Sequence, residues 1–126
     1  LRVGSTIRVW ASGRVNGVTG SPTIKFSIQV NTSIPLSETA TITMVAGDLF
    51  TLQAVCTVLE VDTAALASRF GVGTIGPADT ATLSHRSDQN SILNVITASL
   101  VEVFATCSAS NVLNVVELRS FVVDVT

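Results

Sequence analysis

The chain has 126 residues, of which 47% are hydrophobic and only 13% are charged, and its formal net charge is −2. This length fits a single domain, residues 1–126, with a core of its own. The 7 basic residues are scattered, which argues against nucleic-acid binding, and no apolar run approaches the roughly 18 residues of a membrane span.

Valine, isoleucine and threonine together make up about a third of the chain. Side chains that branch at Cβ favour the pleated surface of a strand over a helix, so the composition predicts an all-β protein. Because few charges accompany so much apolar surface, we expect part of that surface to be buried in an assembly. A monomer coated with serine and threonine is the alternative.

The first half of the chain alternates apolar and polar residues with the period of two that is typical of strands. Strands are predicted at residues 4–14, 23–30, 36–45 and 48–61, and the last of these, being the longest, is expected to be central. Asn16 and Gly17 form a strong hairpin signal after the first strand. The residues predicted to be almost fully buried are Ile24, Phe26, Ile28, Phe50, Leu52 and Ala54.

The second half is less regular. Residues 62–70 fit either a short capped helix or an antiparallel partner of the central strand, and we favour the strand. Residues 71–79 and the polar run 84–91 are predicted to be loops, with short apolar strands at 80–83 and 92–96. The last two strands are predicted at 100–107 and 112–125, joined by a turn. Eight or nine strands at this spacing predict an antiparallel two-sheet sandwich, a jelly roll.

Two sequence patterns resemble sites of chemistry. Residues 71–76, GVGTIG, match a dinucleotide-binding fingerprint, but no helix is predicted after them, so we expect a glycine-rich turn or bulge. Ser84, His85 and Asp88 have the residue types of a catalytic triad. They lie within one short stretch, where such a relay cannot align. We therefore predict no catalytic residues and no enzyme.

Metal and cofactor sites are also not predicted. Asp48, Glu60, Asp62 and Asp79 lie near predicted strand ends and would suit calcium only if they met at one rim, and no calcium-loop motif is present. The two cysteines, Cys56 and Cys107, lie in separate strands; we expect buried thiols, with a disulfide or a metal pair as alternatives. The sequon at residues 31–33 matters only in a secreted eukaryotic protein.

Three aromatic residues are predicted to lie on the more polar face of their strands. Trp10 alternates with Arg8, whereas Phe104 lies between Glu102 and Thr106, and Phe121 follows Glu117 and Arg119. Aromatic side chains on nominally exposed faces favour subunit contacts, so Trp10, Phe104 and Phe121 are the candidate interface residues. The alternative for Trp10 is stacking on a sugar.

The order of strands and turns resembles a group of bacteriophage virion domains. Residues 3–13, VGSTIRVWASG, followed by SPTIKF at 21–26, are similar to the first two strands of those domains. DLFTL at 48–52 resembles the next strand, which begins with an aromatic residue after a turn, and residues 115–125 resemble the closing strand. The resemblance covers most of the chain and contains no catalytic motif.

This resemblance implies a jelly roll of the tumour-necrosis-factor type, a homotrimer, and a location in the virion. The first role it implies is a capsid decoration (cement) protein bound to the major capsid protein or other virion proteins. The alternative is the head of a fibre or spike that recognises a host surface glycan. The chain departs from those domains in showing no N-terminal anchor or coiled coil, which leaves open whether it clamps a capsid or tips a fibre. Because it begins at Leu1 rather than Met, and residues 1–3 already look strand-like, we expect a mature or excised piece.

Overall fold

The computed structural model describes residues 4–30, 34–60, 65–76, 81–93 and 101–126, and the all-β prediction is confirmed within these ranges. The strands are β1 (Thr6–Gly17), β2 (Thr23–Val30), β3 (Ile34–Glu38), β4 (Ile42–Thr43), β5 (Leu49–Glu60), β6 (Ala65–Gly76), β7 (Ala81–Leu93), β8 (Val101–Cys107) and β9 (Val115–Val125). No helix in the described part of the chain has the length and hydropathy required to cross a membrane.

The strands form two antiparallel sheets, as the sequence predicted. The larger sheet has the order β7-β6-β5-β1-β9, so β5 is its central strand. In the smaller sheet β2 is central: β8 pairs along one edge, while β3 and β4 share the other. The result is a β-sandwich-like arrangement with its core between the sheets.

The core follows directly from the period-two pattern. All six residues predicted to be buried in β2 and β5 have at most 2% of their surface exposed. The rings of Phe26 and Phe50 stack with their centroids 3.8 Å apart and their planes 12° apart, which joins the two sheets at the centre of the core. Alternate residues of β1, Ile7 to Val15, complete the larger sheet's buried face.

The glycine-rich run is part of a strand, so the prediction of a loop at 71–79 is wrong for residues 71–76. These residues form the second half of β6, paired with β5. A Cβ atom at Gly71 would collide with the carbonyl oxygen of Leu36, and one at Gly73 would lie 2.5 Å from that of Glu38. The two glycines therefore allow the backbone of β3 to pass close over β6.

Three other local predictions are wrong. Residues 84–91, predicted as a loop, belong to β7, where backbone pairing with β6 holds them regardless of their polarity. The hairpin predicted at Asn16 and Gly17 does not form, because β1 continues to Gly17 and β2 belongs to the other sheet. The strand predicted at 36–45 is divided into β3 and β4.

Several predictions fall outside the described residues. These are the strand-like start at residues 1–3, the sequon at 31–33, the carboxylates Asp62 and Asp79, and the end of the apolar run at 94–96.

Candidate functional site

The groups singled out for chemistry are dispersed over the described structure. Asp48 is buried before β5, and its backbone carbonyl accepts a hydrogen bond from the Val15 amide at 2.9 Å. In β7, Ser84 pairs with Val72 and His85 with Gly71, while Asp88 lies in an irregular stretch of the register. Among the described residues, no group of three or more histidine, cysteine, aspartate or glutamate side chains could hold a metal ion.

Both cysteines are thiols. Cys56 is buried in β5 of the larger sheet, and Cys107 is half-buried at the end of β8 in the smaller sheet. The prediction of thiols is confirmed, while full burial holds for Cys56 alone.

Among the strands that the structure describes, β9 is unusual because it is mostly apolar and largely exposed. It ends the larger sheet and pairs with β1. Six large hydrophobic residues on β9 have 41–53% of their surface exposed: Val115, Leu118, Phe121, Val122, Val123 and Val125. We call these six residues the β9 apolar surface. Isolated exposed hydrophobic residues are ordinary, whereas six on one strand make a candidate interaction surface.

Pairing with β1 shows that the β9 apolar surface covers both faces of the strand. Directly opposed residues of antiparallel strands point to the same face of the sheet. Val123 lies opposite Val9, whose side chain is fully buried in the core, so Val123 points to the inner face. Val122 lies opposite Trp10, which is 36% exposed, so Val122 points to the outer face.

A β-bulge in β9 overturns the predicted face of Phe121. Leu118 pairs with Gly13 and Ser120 with Ser12, so Arg119 is an extra residue between consecutive pairs. The bulge reverses the alternation, and Phe121 lies opposite the buried Ala11, on the inner face rather than the polar outer face.

The inner face of β9 is exposed because β9 lies at the end of its sheet. Among the β9 residues, Val116 packs against the described core. On the smaller sheet, Val101, Val103 and Cys107 of β8 also border that core. Phe121, further along β9, retains 41% of its surface exposed.

The three candidate interface aromatics do not form one cluster. Trp10 lies on the outer face as predicted, next to Val122 of β9, and Phe121 lies on the opposite face of the same two-strand edge. Phe104 also lies on the predicted face, opposite Ser27, but on the outside of the smaller sheet, where it is half-buried. The structure thus brings Trp10 and Phe121 to the side of the larger sheet formed by its last two strands, β1 and β9, which we call the β1–β9 edge. Phe104 lies apart from it.

Paired charges accompany the β1–β9 edge. Arg8 forms an ion pair of 3.8 Å with Asp124 across the two strands. At the other end, Arg119 lies 3.5 Å from Glu117, and Asn16 Nδ2 donates a hydrogen bond of 2.8 Å to Glu117 Oε2. This hydrogen bond, together with the Arg119 charge, lowers the pKa of Glu117. The ends of the edge are therefore polar, and its middle is apolar.

Sequence reasoning missed Leu118, Val122, Val123 and Val125 as surface residues. The available signal was the run Phe121–Val122–Val123. Three consecutive apolar residues in a strand place apolar side chains on both faces, and a two-layer sandwich covers only one face of each sheet.

Comparison with known proteins finds no protein-family model that matches the chain, and no curated protein or solved structure with significant similarity.

Proposed function

We propose that the protein is a structural subunit, without enzymatic activity, that assembles with copies of itself by burying its β1–β9 edge. The observation that carries this proposal is the β9 apolar surface, where six large hydrophobic residues of one strand are about half exposed. At about 25 cal/mol per Å2, each few hundred Å2 removed from water contributes several kcal/mol to association.

The specific role within this class follows from the resemblance to phage virion domains. We propose a jelly-roll domain that forms a homotrimer and serves as a capsid decoration (cement) protein, in contact with the major capsid protein. Two observations support this role: the two-sheet antiparallel arrangement, and the low share of charged residues, 13%. A cement protein acts by packing its surface against other subunits.

One observation favours a second candidate, a fibre or spike head that binds host glycan. Trp10 is 36% exposed on the outer face of the larger sheet, and its neighbour on β5 is the exposed Gln53. An exposed indole beside an amide group is able to stack on a sugar ring while the amide bonds its hydroxyls.

The mass of the purified chain in solution tests self-assembly. Light scattering after size-exclusion chromatography should give the mass of an oligomer that dissociates on dilution. Trp10→Ala should raise the dissociation constant about tenfold or more, as expected for an interface tryptophan. It should leave the melting temperature nearly unchanged, because the side chain points away from its own core. Gln53→Ala is the matched control, since it truncates the exposed neighbour on the same face.

Two further outcomes separate the candidates. Co-sedimentation with phage shells that lack their decoration protein should retain the wild-type chain and not the Trp10→Ala variant if the cement role is correct. A monomer at every concentration that binds a glycan saturably, and loses this binding in Trp10→Ala, would favour the recognition role.

A further inference from the structure

We propose that two copies of the chain pair edge to edge through β9, antiparallel and centred on Val122, which joins two five-stranded sheets into one of ten strands. The inference rests on the self-association proposed above and specifies the atoms that make the contact.

The hydrogen bonds between β1 and β9 show which backbone groups of β9 are directed away from β1. Thr6 and Thr126 exchange both of their amide-to-carbonyl hydrogen bonds, each 2.9 Å long. In an antiparallel pair such hydrogen-bonded positions alternate with positions that make no bonds to each other. Asp124 and Val122 therefore bond to β1, and the amide and carbonyl groups of Phe121, Val123 and Val125 point to the outer edge.

Among the described residues, no strand pairs with that outer edge. The edge is long, and of the residues from Ser120 to Val125 only Asp124 is charged. Exposed edge strands are usually protected by bulges, prolines or charges. Here the bulge and two of the charges lie earlier in the strand, at Glu117 to Arg119, so the second half of β9 remains a template for another strand.

A second copy fits this template in one register better than in others. The outward backbone groups recur at every second residue, so a two-fold axis must fall on a residue of the strand. With the axis at Val122, Phe121 pairs with Val123 of the other copy, and both residues point to the inner face. Ser120 meets Asp124, which places a hydroxyl donor against a carboxylate.

Neighbouring registers give poorer pairs. An axis at Val123 places Asp124 opposite the apolar Val122, and an axis at Asp124 places two like charges against each other. Only the axis at Val122 matches apolar with apolar and polar with polar along residues 120–124. On the outer face it brings the two Val122 side chains together, each beside the Trp10 of its own chain.

The occupant we infer is another copy of this chain because the contact is self-complementary. A two-fold contact uses the same patch on both subunits, and the β9 edge supplies matching donors, acceptors and side chains to itself. Such a contact doubles whatever assembly it joins. By itself it yields a dimer, and where a separate surface of the subunit holds the proposed trimer, it links two trimers into six subunits.

Cross-linking tests the register directly. In the proposed pairing Val122 occupies a position without mutual hydrogen bonds, where opposed Cα atoms lie about 4.5 Å apart, within the range that a disulfide spans. Val122→Cys, in a Cys107→Ser background, should form a disulfide-linked dimer under mild oxidation. Ser120→Cys is the matched control. In this register the two Ser120 residues are displaced by four residues along the strands, about 13 Å, which is too far for a disulfide.

Charge exchange tests the same contact without covalent chemistry. Val122→Lys and Val122→Glu should each raise the dissociation constant about a hundredfold, because each sets two like charges against each other, and an equimolar mixture of the two should restore association. Association restored only in the mixture supports the pairing. A wild-type oligomer that both variants weaken and their mixture does not restore, with no Val122→Cys dimer, would overturn the edge pairing and leave the proposed function standing. A wild-type monomer at every concentration would overturn both.

Discussion

Gly71 occupies a position in β6 where any side chain would meet the backbone of β3. The added Cβ of Gly71→Ala would collide with the carbonyl of Leu36, and a backbone atom cannot rotate away as a side chain can. We expect a loss of roughly 3 kcal/mol or more in the free energy of unfolding, measured by urea denaturation.

A second glycine separates this packing effect from backbone strain. Gly20 has a positive φ of 76°, and a Cβ added there would meet no atom within 4 Å, so Gly20→Ala should cost only about 1–2 kcal/mol, for the left-handed conformation. An equal loss of unfolding free energy in Gly71→Ala and Gly20→Ala would show that the close approach of β3 to β6 does not restrict the size of the side chain at residue 71.

Asn16 lowers the pKa of Glu117 across the β1–β9 pair. Its side-chain hydrogen bond is the largest cause of the lowered pKa, followed by the charge of Arg119. Asn16→Ala should therefore raise the pKa of Glu117 towards its ordinary value, which an NMR titration of the side-chain carboxyl would measure. Arg119→Gln should also raise it, because Arg119 lowers the pKa of Glu117 through its charge and through a hydrogen bond.

The sign of the corresponding stability effect follows from linkage. A carboxyl whose pKa is lower in the folded state stabilises that state above its unfolded pKa, and this contribution is lost as the pH falls through the folded value. The wild type should thus lose slightly more stability than Asn16→Ala between neutral and acidic pH. A pKa of Glu117 that is the same in both proteins would contradict this.

The face of the sheet on which a side chain lies was predictable wherever apolar and polar residues alternate without interruption. The buried set Ile24, Phe26 and Ile28 is confirmed, and so is the outward position of Trp10. The face of Phe121 was not predictable, because the β-bulge at Arg119 depends on how β9 pairs with β1. The order of apolar and polar residues in β9 does not reveal the bulge.

At the scale of the element, β5 connects the two sheets through one aromatic contact. The ring of Phe50 stacks on that of Phe26 from β2 at 3.8 Å, and both side chains are almost completely buried. Phe50→Ala should lower the free energy of unfolding by roughly 3–5 kcal/mol through lost contacts and a cavity. Gln53→Ala, on the exposed face of the same strand, should change it by about 0.5 kcal/mol or less.

Strands with one buried face were predictable, and strands held by backbone pairing alone were not. β2 begins and ends where its alternation does, at Thr23 and Val30. Residues 84–91 of β7 carry a polar sequence, and their strand depends on hydrogen bonds to β6, which no local pattern encodes. The glycines of β6 were equally misleading, since glycine is common in turns and here permits close packing.

For the whole molecule, the β1–β9 edge combines apolar burial with a few exposed ion pairs. Arg8 and Asp124 are about half exposed, so salt will screen their attraction, and their contribution to any association is small. Association driven mainly by the β9 apolar surface should therefore change little between low and high salt.

Trp10 reports on this association because it is the only tryptophan in the chain and is 36% exposed at the β1–β9 edge. An indole that leaves water emits at shorter wavelength. Its emission maximum should shift to the blue as the protein concentration rises, with the same midpoint as the mass measured by light scattering, and the shift should persist at high salt. Val122→Lys should abolish the shift, since residue 122 is the neighbour of Trp10 on β9. An emission maximum that is independent of concentration while the mass increases would place the contact elsewhere, with the outer face of β8 around Phe104 as the remaining candidate surface.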